Sequence, residues 1–209
     1  MQWLSEHAAV LQLAVGCITA LVWVIYLQAF VGGYRRQRAP MILVTAGAGR
    51  GINSHCLVTN LGFEPVSILS IIIDVSDGTR TARAIIPDRN EMMVEEGNED
   101  AQATNQGPMA SGTMRDIGRF GTLLQRAVAE NPDMDGIDPA SVEITIVAAT
   151  ASSLTGASRR FLRMEGAHHF RPTRVETTQH RNRRQRRALL AVLQADIAQD
   201  AGTPAGREG

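Results

Sequence analysis

The chain contains no lysine, and all 21 of its basic residues are arginine. A phosphate-binding P-loop, a Schiff-base enzyme and a protein kinase each depend on a lysine amine, so these three classes of protein are excluded. We interpret an arginine-only composition as the codon bias of a GC-rich bacterial genome. The composition therefore excludes lysine-dependent chemistry but does not identify the function of the protein.

Cysteine is scarce as well. The chain has two cysteines. Cys17 lies inside a long apolar segment and Cys56 lies outside it, so the two thiols cannot plausibly meet. A single cysteine outside the apolar segment fits a reducing compartment and excludes a disulfide-stapled fold.

The sequence also lacks the common catalytic and metal-binding motifs, such as G-x-S-x-G, H-E-x-x-H and C-x-x-C. Residues 47–51 (GAGRG) lack the third glycine of the dinucleotide fingerprint, because Ile52 stands in its place, and a tight turn between strands explains them better. His168 and His169 have no third ligand nearby. We therefore predict no enzyme activity and no catalytic, cofactor-binding or metal-binding residue.

One long apolar segment is present near the N-terminus. Residues 8–31 contain no charged side chain over 24 positions. As a helix, this segment is about 36 Å long, enough to cross a hydrocarbon core of about 30 Å. The preceding residues 1–7 lack the arginine or lysine of a signal peptide, and the apolar run is too long for one. We predict a single transmembrane helix that is retained as an anchor.

The charges on either side of this segment predict its orientation. The N-terminal flank contains Glu6 and no arginine, whereas the linker of residues 32–40 contains Arg35, Arg36 and Arg38. Positively charged flanks stay in the cytoplasm. We expect a short N-terminus outside, the C-terminal part in the cytoplasm, and the protein in the cell inner membrane.

After the linker, the pattern changes to short β-branched runs separated by turn residues. Strands are predicted at residues 41–45, 55–60, 66–75, 79–86, 142–150 and 158–164. The third strand places Ile71 and Ile73 on one face, the fifth places Ile144 and Ile146 on one face, and the sixth is the predicted hairpin partner of the fifth. Six short strands without intervening helices over the first four indicate a β-sandwich.

The stretch NLGFEPVSI, residues 60–68, resembles the first hairpin of immunoglobulin-like and fibronectin-like domains. This resemblance implies an immunoglobulin-like β-sandwich over residues 41–166 and implies no activity. The expected fold class is one N-terminal transmembrane α-helix, a mainly-β domain of this type, and a C-terminal α-helix.

An acidic insert, residues 88–140, interrupts the predicted sandwich. From residue 88 to 143 there are twelve acidic and four basic residues. The first part of the insert, as far as residue 112, is rich in glycine and asparagine and is predicted to be a mobile loop. Residues 119–130 carry apolar side chains at helical spacing and are predicted to form a short helix that ends at Asn131-Pro132.

The tail, residues 167–209, is basic and is predicted to leave the sandwich and form a helix at about 176–200. Five arginines surround the first half of this helix: Arg181, Arg183, Arg184, Arg186 and Arg187. Three apolar residues, Leu189, Leu193 and Ile197, fall within one stripe, together with Leu190. We predict that these residues and the linker arginines contact a membrane or a partner.

Several interpretations of the tail compete. It is a solvated helix, or it contacts anionic lipid headgroups, or it docks on a partner protein or on the acidic insert. The segment HRNRRQRR resembles arginine-rich RNA-binding segments, but without interleaved aromatics nucleic acid is disfavoured as a partner. The linker residues 34–40 span at most about 25 Å, so the domain must lie near the membrane.

These features together predict a membrane-anchored, non-enzymatic interaction or scaffold protein, such as an accessory subunit of a membrane complex. A protein partner is expected, and Gly16 and Ala20 have the small-x-x-x-small spacing that lets two membrane helices associate into a homo-oligomer. The alternative is a membrane-tethered sensor or ligand-binding domain. A closed apolar cavity between the sheets would favour the sensor, and a filled core with an exposed strand edge would favour the scaffold.

Overall fold

The structure is a computed structural model that describes residues 7–37, 39–47, 49, 51–86, 107–151, 153–163 and 170–202. The chain divides into two compact units, Met1–Ala39 and Pro40–Gly209. The first unit contains helix α1, Ala8–Gln37. Within α1, the span Val10–Tyr34 is long and apolar enough to cross a membrane, and none of its side chains is buried in protein.

The second unit is mostly β, with two sheets, and it ends in a helix. Ten strands are described: β1 Ile42–Gly47, β2 His55–Asn60, β3 Val66–Ser76, β4 Thr81–Ile86, β5 Gly107–Met109, β6 Met114–Arg119, β7 Ser141–Ala149, β8 Leu154–Arg163, β9 Phe170–Pro172 and β10 Thr178–His180. The helices are α2, Phe120–Glu130, and α3, Arg183–Gly202, with short 3-10 helices at Gly51–Asn53 and Pro132–Met134.

The strands form two antiparallel sheets. The three-stranded sheet has the order β1-β2-β6, and the seven-stranded sheet follows β10-β8-β7-β3-β4, with β5 paired to β3 and β9 paired to β8. The predicted hairpin of β7 and β8 is confirmed, with Ile146 in register with Ala157. Its turn is shorter than the sequence indicated, because β8 already begins at Leu154.

The packed faces of the two sheets enclose one apolar core. Ile71, Ile73, Ile144 and Ile146 are all buried in it, which confirms the predicted faces of β3 and β7. Three phenylalanine rings fill the middle: the centroid of Phe120 lies 5.0 Å from that of Phe161 and 5.5 Å from that of Phe170. Residues from both sheets and from α2 thus occupy the space between the sheets.

The stretch NLGFEPVSI does not form a hairpin. β2 belongs to the three-stranded sheet and β3 to the seven-stranded sheet, so residues 61–65 carry the chain from one sheet to the other. The buried side chain of Asn60 shapes this corner. Its Oδ1 accepts from Gly62 N at 2.9 Å, and its Nδ2 donates to the carbonyl oxygens of Glu64, Met109 and Ala110.

The acidic insert is more ordered than the sequence indicated. Its predicted helix is confirmed as α2. The loop prediction is wrong for Gly107–Met109, which pairs with β3, and strand β6 was not foreseen at all. These strands are stabilised by partners about 40 to 60 residues away, which local sequence patterns do not reveal. The rest of the predicted mobile loop, residues 88–106, lies outside the described residues.

The tail also differs from its prediction. The chain does not leave the sheet at residue 166, because β9 and β10 both pair with β8. The C-terminal helix begins at Arg183 and not at 176, because Asn182 caps it. Asn182 Oδ1 accepts from Gln185 N at 2.8 Å, and Gln185 Oε1 accepts from Asn182 N at 3.4 Å, an asparagine version of the capping box. His168 and His169 lie outside the described residues.

Candidate functional site

Helix α3 packs on the outer face of the seven-stranded sheet. Leu189 is buried there against Ile72 and Val147, and Leu193 is partly buried beside them. Gly156 of β8 makes this contact possible, since a Cβ at that position would lie 2.6 Å from Leu189 Cδ1. A side chain at 156 would have to displace the end of Leu189, so the glycine gives the helix room to lie directly on the sheet.

This packing changes the role of the apolar stripe predicted for the tail. Leu189 and much of Leu193 are used by the domain itself, so they are not free to contact a membrane or partner. Ile197, with 66% of its surface exposed, and Leu190, with 41%, are the stripe residues that face solvent.

The predicted arginines lie at the start of α3. Arg183, Arg184 and Arg187 are exposed, Arg186 is half-buried, and the first turn contains no acidic residue. The N-terminus of a helix carries a partial positive charge, so each cation there costs about 0.3–1 kcal/mol at a surface. Helix stability therefore does not explain such a cluster.

Arg181 lies just before the helix and is tied to the start of the domain. Its Nη2 donates to Pro40 O at 3.1 Å. The arginine cluster thus begins beside the point where the linker enters the β domain. Of the linker arginines, Arg35 and Arg36 lie in α1 with side chains outside the described residues, and Arg38 lies outside them altogether.

A charged cleft runs beneath the first half of α3. Four side chains alternate across neighbouring strands in register: Arg83, Asp74, Glu143 and Arg160. The Arg83 Nε lies 2.6 Å from Asp74 Oδ1, and Arg160 Nη2 lies 2.9 Å from Glu143 Oε2. They line a cavity of about 420 Å³ with residues of α3, including Gln185. Both carboxylates are therefore already paired.

His180, which lines the cleft, forms a pair with Ser158 on the neighbouring strand β8. His180 Nε2 lies 3.0 Å from Ser158 Oγ. Burial lowers the pKa of His180, and the nearby Glu143 opposes this shift. Ser158 is only 3% exposed, and Glu143 is held by Arg160, so the pair lacks an accessible nucleophile and an acid that orients the histidine. Ser158 and His180 therefore do not form a Ser-His-Asp triad.

Polar side chains form hydrogen bonds with the backbone along the outer edge of β1. Gln179 donates to Ile42 O and accepts from Ile42 N, and Thr177 Oγ1 accepts from Val44 N. Arg159, which is 8% exposed, donates to Val44 O at 2.6 Å. Side chains thus satisfy the backbone groups of Ile42 and Val44, so β1 does not offer these positions to an added strand.

Arg159 also holds the loop between β9 and β10. Its Nη2 donates to Arg174 O at 3.1 Å and to Val175 O at 2.9 Å. Burial lowers the pKa of Arg159, and the neighbouring Cys56 opposes this shift. Sequence reasoning missed this residue. The available signal was its position in β8, where it alternates with the inward-facing Phe161.

The described residues contain no group of three or more histidine, cysteine, aspartate or glutamate side chains that could hold a metal ion. His55 and Cys56 lie on opposite faces of β2, since Cys56 is buried and His55 pairs with Asp116 near the surface. Comparisons with protein-family models, with curated proteins and with solved structures find no match for this chain.

Proposed function

We propose that this protein is a single-pass, non-enzymatic interaction protein of the cell inner membrane, with its β domain in the cytoplasm. The observation that carries the proposal is the span Val10–Tyr34, which is strongly apolar and uncharged and is not covered by any of the described residues. Lipid is the environment that such a helix requires. The arginines at 35, 36 and 38 support the cytoplasmic placement of the domain.

The interior of the β domain supports an interaction role over a sensor role. Buried residues from both sheets and from α2 fill the space between the sheets. An immunoglobulin-like sandwich type remains our proposal for this domain. Domains of this type present surfaces and loops to partners, and here the arginine cluster at the start of α3 is such a surface. An accessory role in a membrane complex fits this arrangement.

A ligand-binding sensor is the second candidate, and the cleft beneath α3 is the observation that favours it. With about 420 Å³ lined by two ion pairs and the His180 ring, the cleft has room for a small polar molecule. Binding there would press against Leu189 and Gln185, so a ligand could shift α3.

The first prediction concerns topology. A reporter enzyme that works only in the cytoplasm should be active when it is fused after Gly209, and one that works only in the periplasm should be inactive there. The reason is that the arginines at 35, 36 and 38 resist translocation. An N-terminal tag should remain on the full-length chain, since the helix is an anchor. Replacing the three arginines with glutamine is expected to raise the fraction of inverted molecules. Periplasmic activity of the wild-type fusion, or loss of the tag by cleavage, would contradict the proposal.

The second prediction concerns the arginine cluster. A fragment of residues 40–209 should bind vesicles that contain anionic lipid, and the double variant Arg183→Gln/Arg184→Gln should bind roughly 30-fold more weakly, since each of the two charges contributes about 1 kcal/mol. Binding should also fall as salt rises. The charge-matched control is Arg171→Gln/Arg174→Gln, on exposed residues of β9 and the following loop, which should bind like the wild type.

The competing interpretation, in which the tail pairs with the acidic insert, gives a different result. The wild-type fragment would then ignore anionic vesicles, and deletion of residues 90–106 would unmask binding. Equal binding to neutral and anionic vesicles at low salt would contradict both electrostatic interpretations.

A further inference from the structure

Exposed apolar side chains gather at the end of the β domain where the linker enters. They are Met41, Leu61, Phe63 and Met114. Phe63 is 73% exposed and Met114 is 63% exposed, whereas Phe120, Phe161 and Phe170 of the same domain are buried. A phenylalanine held in water over most of its surface is unfavourable, so this end of the domain is expected to have an apolar partner.

Backbone contacts bring these side chains into one surface. Leu61 N donates to Met41 O at 2.8 Å, and Asn60 N donates to Thr113 O at 3.0 Å, next to Met114. Gly62 lies against the linker end of β1, since a Cβ there would be 3.1 Å from Met41 N. The start of β1, the corner of residues 61–65 and the start of β6 are therefore adjacent.

The corner presents its side chains in a fixed way. Gly62 N donates to Asn60 Oδ1 and Asn60 Nδ2 donates to Glu64 O, both at 2.9 Å. Gly62 is buried by this arrangement, while Leu61 and Phe63 on either side of it are exposed. The buried Asn60 thus holds the corner of residues 61–65 in this conformation, and no partner is needed to form it.

The chain itself holds this surface near a bilayer, if the proposed membrane anchoring is correct. Helix α1 ends at Gln37 and β1 begins at Ile42. The residues between them span at most about 18 Å even when fully extended. Arg181 contacts Pro40 at the same end of the domain, and Arg183 and Arg184 follow it. An apolar patch edged by arginines is the composition of surfaces that lie in the headgroup region of anionic membranes.

We propose that the linker end of the β domain is a lipid-contacting surface, in which Leu61 and Phe63 insert into the interface of the same anionic leaflet that α1 enters. Met41 and Met114 line the edge of the inserted patch, and Glu64, which follows Phe63, is half-buried. This surface fixes the orientation of the domain on the membrane, with α2, which follows the far end of β6, turned toward the cytoplasm.

The test uses the full-length chain in vesicles of phosphatidylglycerol and phosphatidylcholine, the latter brominated on its acyl chains. Trp3 and Trp23 are replaced by phenylalanine, and one tryptophan is introduced by Phe63→Trp. Its emission should shift to the blue and lose roughly half its intensity or more to the bromine quencher, as expected for a ring at the interface. A Met114→Trp variant gives a second position if Phe63→Trp fails to fold.

Ile52→Trp is the matched control, because Ile52 is an exposed apolar residue beyond the opposite end of β1. It should be unquenched, and circular dichroism should show the same fold for all variants. Equal quenching at positions 52 and 63, or no quenching at 63 and 114, would overturn the proposed surface. A blue shift at 63 without quenching would also overturn it, since a second copy of the chain would then cover the patch.

A variant that keeps Trp23 alone separates this inference from the proposed function. Trp23 lies inside the candidate span, so quenching there reports insertion of α1. If Trp23 is quenched and Phe63→Trp is not, the anchor stands and the lipid-contacting surface is wrong. If Trp23 is not quenched, membrane anchoring itself is wrong and the surface loses its basis.

Discussion

Ile146→Asp should abolish cooperative unfolding of the β domain. Ile146 is fully buried in β7, in register with Ile71 on one side and Ala157 on the other. A carboxylate there has no cation or donor opposite it, and an unpaired buried charge costs several kcal/mol or forces its own neutralisation. Because domains are stable by only about 5–15 kcal/mol, we expect a fragment of residues 40–209 with this change to lose its thermal transition.

The position within β7 matters for this experiment. Ile144 is equally buried, but it lies in register with Arg159, whose guanidinium faces the same interior. Ile144→Asp should therefore be less destabilising than Ile146→Asp, because the new carboxylate would have a nearby cation. Ile146→Val, a control that removes one methylene, should cost only about 0.5–1.5 kcal/mol. An unchanged melting temperature for Ile146→Asp would contradict the core assigned to the two sheets.

Asn60→Ala is expected to destabilise the domain by about 3–4 kcal/mol, which lowers its melting temperature by about 10 °C. Asn60 is fully buried, and its amide is the bonding partner of four backbone groups, two in the corner and two at the end of β5, on Met109 and Ala110. Alanine removes the side-chain partner of Gly62 N, Glu64 O and Met109 O, and each polar group so abandoned costs about 1 kcal/mol or more. Ala110 O still accepts from the Thr113 hydroxyl at 2.7 Å. Urea denaturation of the 40–209 fragment measures the change.

Two variants show whether the hydrogen bonds cause this loss. Asn60→Asp keeps the shape and the acceptor for Gly62 N, but it points an oxygen at three carbonyl oxygens, so it should be at least as harmful as alanine at neutral pH. Asn131→Ala is the control, since Asn131 also bonds two backbone groups but does so where water can replace it. A loss of more than about 1 kcal/mol at Asn131, or none at Asn60, would contradict this account.

Much of the fold followed from local patterns. The apolar run predicted an N-terminal helix, and α1 extends it through the arginines as far as Gln37. The β-branched run of β3 and the alternation of β7 predicted buried faces at Ile71, Ile73, Ile144 and Ile146, all of which lie in the core. These predictions succeed because the burial of apolar side chains follows the period of the element that carries them.

The elements that were missed are held by distant partners. β5, β9 and β10 are three residues long and contain proline or polar residues, so nothing in their own sequence favours a strand. The capping box of Asn182 and Gln185 was readable in the sequence and would have placed the start of α3 correctly. The candidate surfaces depend even more on the fold, since Phe63 and Met114 are 51 positions apart and become neighbours only through β2 and β6.

An apolar helix of membrane-spanning length, a mainly-β part and a basic tail could all be predicted from the sequence, because they depend on composition and on periods of a few residues. Which side chains remain available to a partner became visible only in the folded domain. It buried Leu189 over Gly156, used Arg159 and Gln179 to close the edge of β1, and left Phe63 exposed beside the linker. The exposure of a side chain depends on its contacts with distant segments of the chain, and a short stretch of sequence carries no information about those contacts.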